Sequence, residues 1–140
     1  MSQVLVLEDL DSDVRELQAT LRELGDFELR TFRAASQAVE HLSSTLERNQ
    51  EKPKLIVVDL NLSDSSGYEL LRFYHAHQEF HDTPLVVWSV LDGETDKKLT
   101  GWMGAKKLIS KNSGPTTLKK SLAAFLKAES KSTRTARSHP

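Results

Sequence analysis

Five polar side chains that follow short apolar runs have the clearest potential for chemistry in this sequence: Glu8, Asp9, Asp59, Ser89 and Lys111. Carboxylates that meet in one place repel each other unless a cation lies between them. Carboxylates without a nearby histidine or cysteine favour Mg²⁺ or Mn²⁺ over zinc, and Mg²⁺ commonly also binds phosphate oxygens. A lysine ammonium and a serine hydroxyl can contact the same oxygens. The set therefore predicts a Mg²⁺-dependent site for phosphoryl transfer.

The source of the phosphoryl group is indicated by what the sequence lacks. It contains neither a GxxxxGK[ST] loop nor a GxGxxG turn, the two glycine-rich patterns that cradle nucleotide phosphates. We therefore predict that the phosphoryl group arrives from another molecule and is accepted by a carboxylate of this protein.

The elements that must position these residues alternate between two kinds of pattern. Five short segments have the composition of strands, namely residues 4–7, 27–32, 55–58, 85–88 and 106–109. Each is followed by a segment with apolar residues at helical spacing. Five strand-then-helix repeats predict an α/β fold, a doubly wound parallel sheet with helices on both faces. In such sheets ligands bind outside the carboxyl ends of the strands, where all five polar residues fall.

Local signals refine this prediction. Asp11 or Ser12 is predicted to cap the first helix, Gly25 to end it, and Pro115 to begin the fifth. Trp88 and Trp102 are both predicted to pack against the core.

Three histidines form a second constellation, His75, His77 and His81, with the last two spaced to share a helix face. The chain just before Pro84 is predicted to unwind, so a solvated loop is preferred there to a metal site.

Composition limits the remaining choices. The 140 residues include 19 Lys and Arg, 20 Asp and Glu and no cysteine, with a formal net charge of −1. The length suits one domain, residues 1–126, followed by a basic C-terminal extension at 127–140. The lack of cysteine excludes disulfides and thiolate metal sites and favours a cytoplasmic protein. The near-zero charge argues against nucleic acid as a partner, and the short apolar runs argue against a membrane span.

Taken together, the residues resemble a known family, the CheY-like receiver domains of two-component response regulators. The matching residues are Glu8 with Asp9, Asp59, Gly67, Ser89 and Lys111, each in register with its predicted element. The resemblance covers about residues 3–126. It implies a flavodoxin-like five-stranded parallel sheet of order 2-1-3-4-5 with five helices.

The resemblance also implies a role for each matching residue. Asp59 would accept a phosphoryl group from a sensor histidine kinase or a phosphotransfer protein. Mg²⁺, with Mn²⁺ as the alternative, would be bound by Glu8, Asp9, Asp59 and the backbone carbonyl of Asn61. Ser89 would be the switch hydroxyl and Lys111 the ion-pair partner of the phosphoryl group. Such a protein is a phosphoacceptor and not a turnover enzyme.

The resemblance also implies how the protein would pass a signal to other proteins. A 14-residue tail is too short to fold as an effector domain, so we expect a stand-alone regulator that acts on a downstream protein target. The contact is expected on the face made by the fourth helix, fifth strand and fifth helix. Single-domain regulators that serve bacterial phytochromes are similar and often pair through that face, which suggests a homodimer.

Several positions depart from the family pattern, and alternatives stay open. Val90 follows Ser89 where a small residue is usual, Leu108 replaces an aromatic residue, and Asn112 replaces a proline. These changes motivate a first alternative, a phosphorylation-independent scaffold or adaptor with a receiver fold.

Two further alternatives share the chemistry or the topology. A haloacid-dehalogenase-like phosphatase would need a second aspartate where Asn61 stands. A flavodoxin would need a phosphate cradle in the acidic first loop.

Overall fold

The protein forms one five-stranded sheet flanked by five helices. The computed structural model describes residues 2–63 and 65–137, with side chains up to residue 126. The strands are β1 (Ser2–Leu7), β2 (Phe27–Phe32), β3 (Leu55–Val58), β4 (Leu85–Ser89) and β5 (Lys107–Ser110). The helices are α1 (Asp11–Leu24), α2 (Ala35–Glu47), α3 (Tyr68–Ala76), α4 (Glu94–Trp102) and α5 (Pro115–Arg137).

All strand pairs are parallel, and the strand order is β2-β1-β3-β4-β5. The flavodoxin-like order 2-1-3-4-5 with five helices is thereby confirmed. The three central strands are the apolar ones, because both of their faces are covered by helices. The alternating β2 and the half-polar β5 lie at the two edges, as their patterns predicted.

The core has two layers, one on each face of the sheet. On one face Leu5, Ile56 and Val87 pack against α2 and α3. On the other face Val6 and Val57 belong to a cluster that includes residues of α1 and α5. Side chains that alternate along each strand thus hold helices on both faces, and this fixes the carboxyl ends of β1, β3, β4 and β5 relative to one another.

Two predicted details are wrong, and each has a physical reason. The residue before α1 is Leu10, which makes no side-chain cap, so neither Asp11 nor Ser12 is the cap. Asp11 and Asp13 lie instead in the first turn, where their carboxylates pair with Arg33 and Lys111.

Trp102 is 71% exposed, whereas Trp88 is 2% exposed, so the packing prediction holds only for Trp88. Trp102 is the last residue of α4, where its ring lies 4.9 Å from that of His75 and outside the core.

The chain before Pro84 leaves the α-helical path, as predicted. Helix α3 ends at Ala76, and a 3₁₀ turn follows at Gln78–Phe80. His77 stacks on Phe73, while a ring nitrogen of His81 lies 3.0 Å from a main-chain carbonyl oxygen of α3, so both histidines have structural contacts.

Within residues 2–63 and 65–137, no helix combines the length and the apolar character that a bilayer crossing requires. The basic extension predicted at 127–140 lies outside the residues whose side chains are described.

Candidate functional site

The five residues predicted from strand ends lie together at the carboxyl ends of the strands. Glu8 directly follows β1, Asp59 directly follows β3, Ser89 is the last residue of β4, and Lys111 directly follows β5. Backbone hydrogen bonds continue past the strands and hold the acidic residues in place. The Asp59 N–H donates to the carbonyl oxygen of the last residue of β1 at 2.9 Å, and the Glu8 N–H donates to that of β2 at 3.0 Å.

Lys111 is the centre of the site. Its ammonium donates to Asp13 Oδ2 at 2.6 Å, to Glu8 Oε2 at 2.7 Å and to Asp59 Oδ2 at 3.0 Å. The nitrogen also lies 4.9 Å from the centre of the buried Trp88 ring. Four groups from β1, α1, β3 and β4 therefore surround one cation that projects from the end of β5.

Three carboxylates form the acidic group that can hold a metal ion. Glu8, Asp9 and Asp59 each offer an oxygen, and these oxygens lie within 4.8 Å of one another. Glu8 and Asp59 are buried, while Asp9 lies nearer the solvent. The donors are all hard oxygens, the set that Mg²⁺ and Mn²⁺ prefer. The residues therefore fit a divalent cation.

The pKa of Glu8 also indicates a site suited to a divalent cation. Burial is the main cause that raises the pKa of Glu8 from 4.5 to about 7, with the charge of Asp59 adding to it and the hydrogen bond from Lys111 opposing it. A carboxylate whose pKa is raised in this way is under-compensated by the positive charge around it. A divalent cation would supply the missing charge.

The Lys111 ammonium responds in the opposite sense. Burial by itself would lower the pKa of Lys111, but the hydrogen bonds that its ammonium donates to Asp13, Glu8 and Asp59 outweigh burial and raise the pKa above its ordinary value. The side chain therefore stays protonated throughout the physiological pH range and presents a permanent positive charge to any anion at Asp59.

Asp9 is held differently from the other acids. Its Oδ2 accepts hydrogen bonds from the Ser63 N–H at 2.6 Å and from the Ser63 hydroxyl at 2.5 Å. The bond from the Ser63 hydroxyl is the main cause that lowers the pKa of Asp9 below its ordinary value. Asp9 is therefore ionised at neutral pH and aimed at the loop after β3.

Ser89 and Asn61 lie at the edge of this cluster. The buried Ser89 hydroxyl accepts a hydrogen bond from the Leu91 N–H at 3.1 Å. The Asn61 N–H donates to Asp59 Oδ1 at 3.2 Å. The two oxygens of Asp59 thus have different partners, the loop backbone on one side and Lys111 on the other. The metal-binding role of the Asn61 carbonyl remains a prediction.

Gly67 matters because of the space it leaves. A Cβ added there would lie 2.1 Å from the carbonyl oxygen of Asp59 and 2.9 Å from the Cα of Leu60. The start of α3 therefore rests directly on the backbone that carries Asp59. Only glycine allows this close approach.

Sequence reasoning missed two contributors. Asp13 lies in an acidic stretch typical of a helix start, which gives no sign of a site residue, yet it makes the shortest of the three bonds to Lys111. Asp13 lies in the first turn of α1, and the rotation of that helix about its axis decides which way its side chain points, so no spacing of residue types identifies the contact. Ser63 lies in the loop after β3, and no spacing rule points to its contact with Asp9.

The three departing residues also have definite positions. Val90 is 47% exposed beside the site, and Leu108 is partly buried in β5 against the α2 and α3 core layer. The Asn112 N–H donates to the hydroxyl of Ser110 at 3.1 Å. The described backbone contains no cis peptide bond, so the Lys111–Asn112 peptide is trans.

Proteins of two bacteria are similar to this chain in sequence. KdpE, the KDP operon transcriptional regulatory protein of Escherichia coli strain K12, is 31% identical over 133 residues, which are 95% of this chain and 55% of KdpE. The chain thus spans about half the length of this relative. Protein PilH of Pseudomonas aeruginosa is 25% identical over 126 residues, 90% of this chain and 98% of PilH.

Among solved structures, the Mn²⁺-bound form of response regulator Rcp1 superposes with a TM-score of 0.74 at 25% identity, and the match covers 89% of this chain and 91% of Rcp1. The family model described as the response regulator receiver domain matches residues 4–123. With the sheet order and the carboxylate and lysine cluster at its carboxyl edge, these matches show that the chain belongs to the receiver domain family of response regulators.

Proposed function

We propose that Asp59 accepts a phosphoryl group from the phosphohistidine of a sensor histidine kinase or a phosphotransfer protein. The observation that carries the proposal is the contact of 3.0 Å between the Asp59 carboxylate and the Lys111 ammonium, inside an acidic group suited to a divalent cation. Asp59 also follows the central strand β3 directly, its N–H donates to the carbonyl oxygen of Leu7, and its Oδ1 accepts from the Asn61 N–H.

The step is a transfer between two protein groups. A carboxylate oxygen of Asp59 forms a bond to phosphorus as the bond from phosphorus to the imidazole nitrogen breaks. The electron pair of the broken bond stays on that nitrogen, and Asp59 becomes an acyl phosphate. Lys111 lies where it can compensate charge on the transferred oxygens, and the Asn61 N–H holds the carboxylate in position. Later attack by water on phosphorus releases inorganic phosphate and restores the carboxylate.

Mg²⁺ is the cation we propose for the site, held by the carboxylates of Glu8, Asp9 and Asp59 and the carbonyl of Asn61. When bound, it would supply charge compensation for the incoming phosphoryl oxygens. Two features of the chain support this: the raised pKa of Glu8 and the orientation of Asp9 by Ser63. The Mn²⁺-bound form of the similar Rcp1 supports a divalent ion in general.

Phosphorylation is proposed to act on other proteins through the surface beside the site. Ser89 would exchange its bond with Leu91 for one with the phosphoryl group, which would move the loop that leads into α4. Exposed Leu99 and Trp102 on α4 support this helix as part of a contact face, either with a downstream target or with a second copy through α4, β5 and α5. The stand-alone organisation expected from the sequence stays a prediction.

The test is phosphoryl uptake followed by intact-protein mass spectrometry. With Mg²⁺ and acetyl phosphate, in which acetate is the leaving group, we expect a mass increase of one phosphoryl group in the wild-type protein. Asp59→Asn should remove the adduct, and the exposed Asp26→Asn should keep it. Removal of Mg²⁺ by EDTA should slow uptake strongly. A wild-type protein that gains no adduct, or an adduct that persists in Asp59→Asn, contradicts the proposal.

The phosphorylation-independent scaffold is distinguished by partner binding. Once a partner is found, Asp59→Asn should abolish any change in affinity that acetyl phosphate causes. If affinity is the same in wild type and Asp59→Asn under all phosphorylating conditions, the scaffold explanation replaces the switch.

A further inference from the structure

The carboxylate of Asp13 has no role in the function proposed above. It lies in the first turn of α1 with its side chain 20% exposed, and within the described part of the chain its side chain hydrogen-bonds only to Lys111. Glu8 and Asp59, the other two partners of the lysine, both belong to the acidic group that can hold a cation. Asp13 is therefore the one carboxylate at Lys111 that serves the lysine alone.

Lys111 has no spare hydrogen bond to give. An ammonium group has three N–H donors, and all three are used, on Asp13, Glu8 and Asp59. A phosphoryl oxygen can gain a bond from Lys111 only if one of these is surrendered or shared. The bond to Asp13, at 2.6 Å, is the shortest of the three, and Asp13 does not belong to the acidic group that can hold a cation.

We propose that Asp13 is a positioning residue that competes with the phosphoryl group for the Lys111 ammonium. The inference rests on the proposed function, since it concerns the same site. Two anions that share one cation each bind it less strongly than either would alone. The charge of Asp13 therefore lowers the affinity of the site for a phosphoryl group. Between phosphorylation events the same charge keeps the Lys111 ammonium beside Asp59.

The test measures binding of beryllium fluoride, an anionic mimic of the phosphoryl group, in the presence of Mg²⁺. Trp88 lies against the Lys111 ammonium, so its fluorescence reports changes there. The second tryptophan is removed by Trp102→Phe in every variant, since Trp102 is exposed and outside the site. Asp13→Asn removes the charge but keeps an amide oxygen that can accept the lysine N–H.

Asp11→Asn is the matched control. Asp11 lies in the same turn of α1 and loses the same charge, but it pairs with Arg33 and is exposed. We expect Asp13→Asn to bind beryllium fluoride roughly three- to tenfold more tightly than the Trp102→Phe parent, in line with the loss of one partly exposed ion pair. Asp11→Asn should stay within about twofold of the parent, because its ion pair is with Arg33 at the surface. Asp13→Glu, which keeps the charge, should stay close to the parent.

A titration with Mg²⁺ alone separates competition from loosening of the site. A variant whose site is merely distorted binds both ligands more weakly, whereas competition predicts tighter binding of the anion and no gain for the cation. Equal affinity of Asp13→Asn and Asp11→Asn for beryllium fluoride, or weaker binding by Asp13→Asn, overturns the inference. Failure of the parent protein itself to bind beryllium fluoride at Asp59 refutes the proposed function instead, and the parent titration reveals this.

Discussion

Replacement of Glu8 by glutamine is expected to stabilise the metal-free protein above neutral pH. Glu8 is 1% exposed, and burial raises its pKa from 4.5 to about 7. Because the pKa is higher in the folded state, folding favours the protonated acid. The favourable contribution is complete below pH 4.5 and is lost as the pH rises through about 7.

The size of this loss in unfolding free energy follows from the shift in the pKa of Glu8. Each pKa unit corresponds to about 1.4 kcal/mol, so the wild-type protein should lose about 2 to 3 kcal/mol of unfolding free energy from this group between pH 5 and pH 8. Glu8→Gln cannot ionise and should not show this loss. The variant should therefore gain stability relative to wild type as the pH rises.

Urea unfolding in EDTA, followed by far-UV circular dichroism at several pH values, measures this difference. Glu28→Gln, on the exposed side of the edge strand β2, is the control for loss of a glutamate charge. Addition of Mg²⁺ at pH 8 should then stabilise wild type more than Glu8→Gln, since a cation compensates the carboxylate that the variant lacks. Identical pH dependence in wild type and Glu8→Gln would refute the argument from burial.

Two further predictions concern packing near the site. Gly67→Ala should lower the unfolding free energy by about 2 to 3 kcal/mol, because its Cβ would clash with the Asp59 backbone. Gly101→Ala in α4, where open space surrounds the glycine, should instead raise the unfolding free energy by about 0.5 to 1 kcal/mol. Urea unfolding that fails to separate the two variants would contradict this. The Tyr68 hydroxyl donates to Asp96 at 2.6 Å and links the start of α3 to α4. Tyr68→Phe should therefore lower the free energy of unfolding by about 1 kcal/mol. A double-mutant cycle with Asp96→Ala that gives no coupling energy would argue against the bond.

The fold could be predicted because its signals are local and repeated. The run Leu55–Val58 is apolar at every position, and only a strand covered on both faces explains four such residues between polar segments. β5 is less distinct, since polar Lys107 and Ser110 enclose only two apolar residues. Its bounds accordingly differ by one residue from the prediction of 106–109.

The site could be predicted in part for the same reason. Glu8, Asp59, Ser89 and Lys111 are located by topology alone, because parallel strands bring their carboxyl ends to one edge. The contact of Asp13 depends on the rotation of α1 about its axis, and that of Ser63 on the path of a loop. Neither is encoded in a short pattern of residue types, so both become visible only in three dimensions.

Glu8 and Lys111 are 103 positions apart in the chain, yet their side chains meet. During synthesis the ribosome releases the acidic residues long before the lysine that neutralises them, and α5, which covers one face of the sheet, comes last. A nascent or truncated chain that ends before Lys111 thus holds Asp59 without the cation that contacts it in the complete fold. The proposed competence of Asp59 to take a phosphoryl group would then be a property of the finished domain alone.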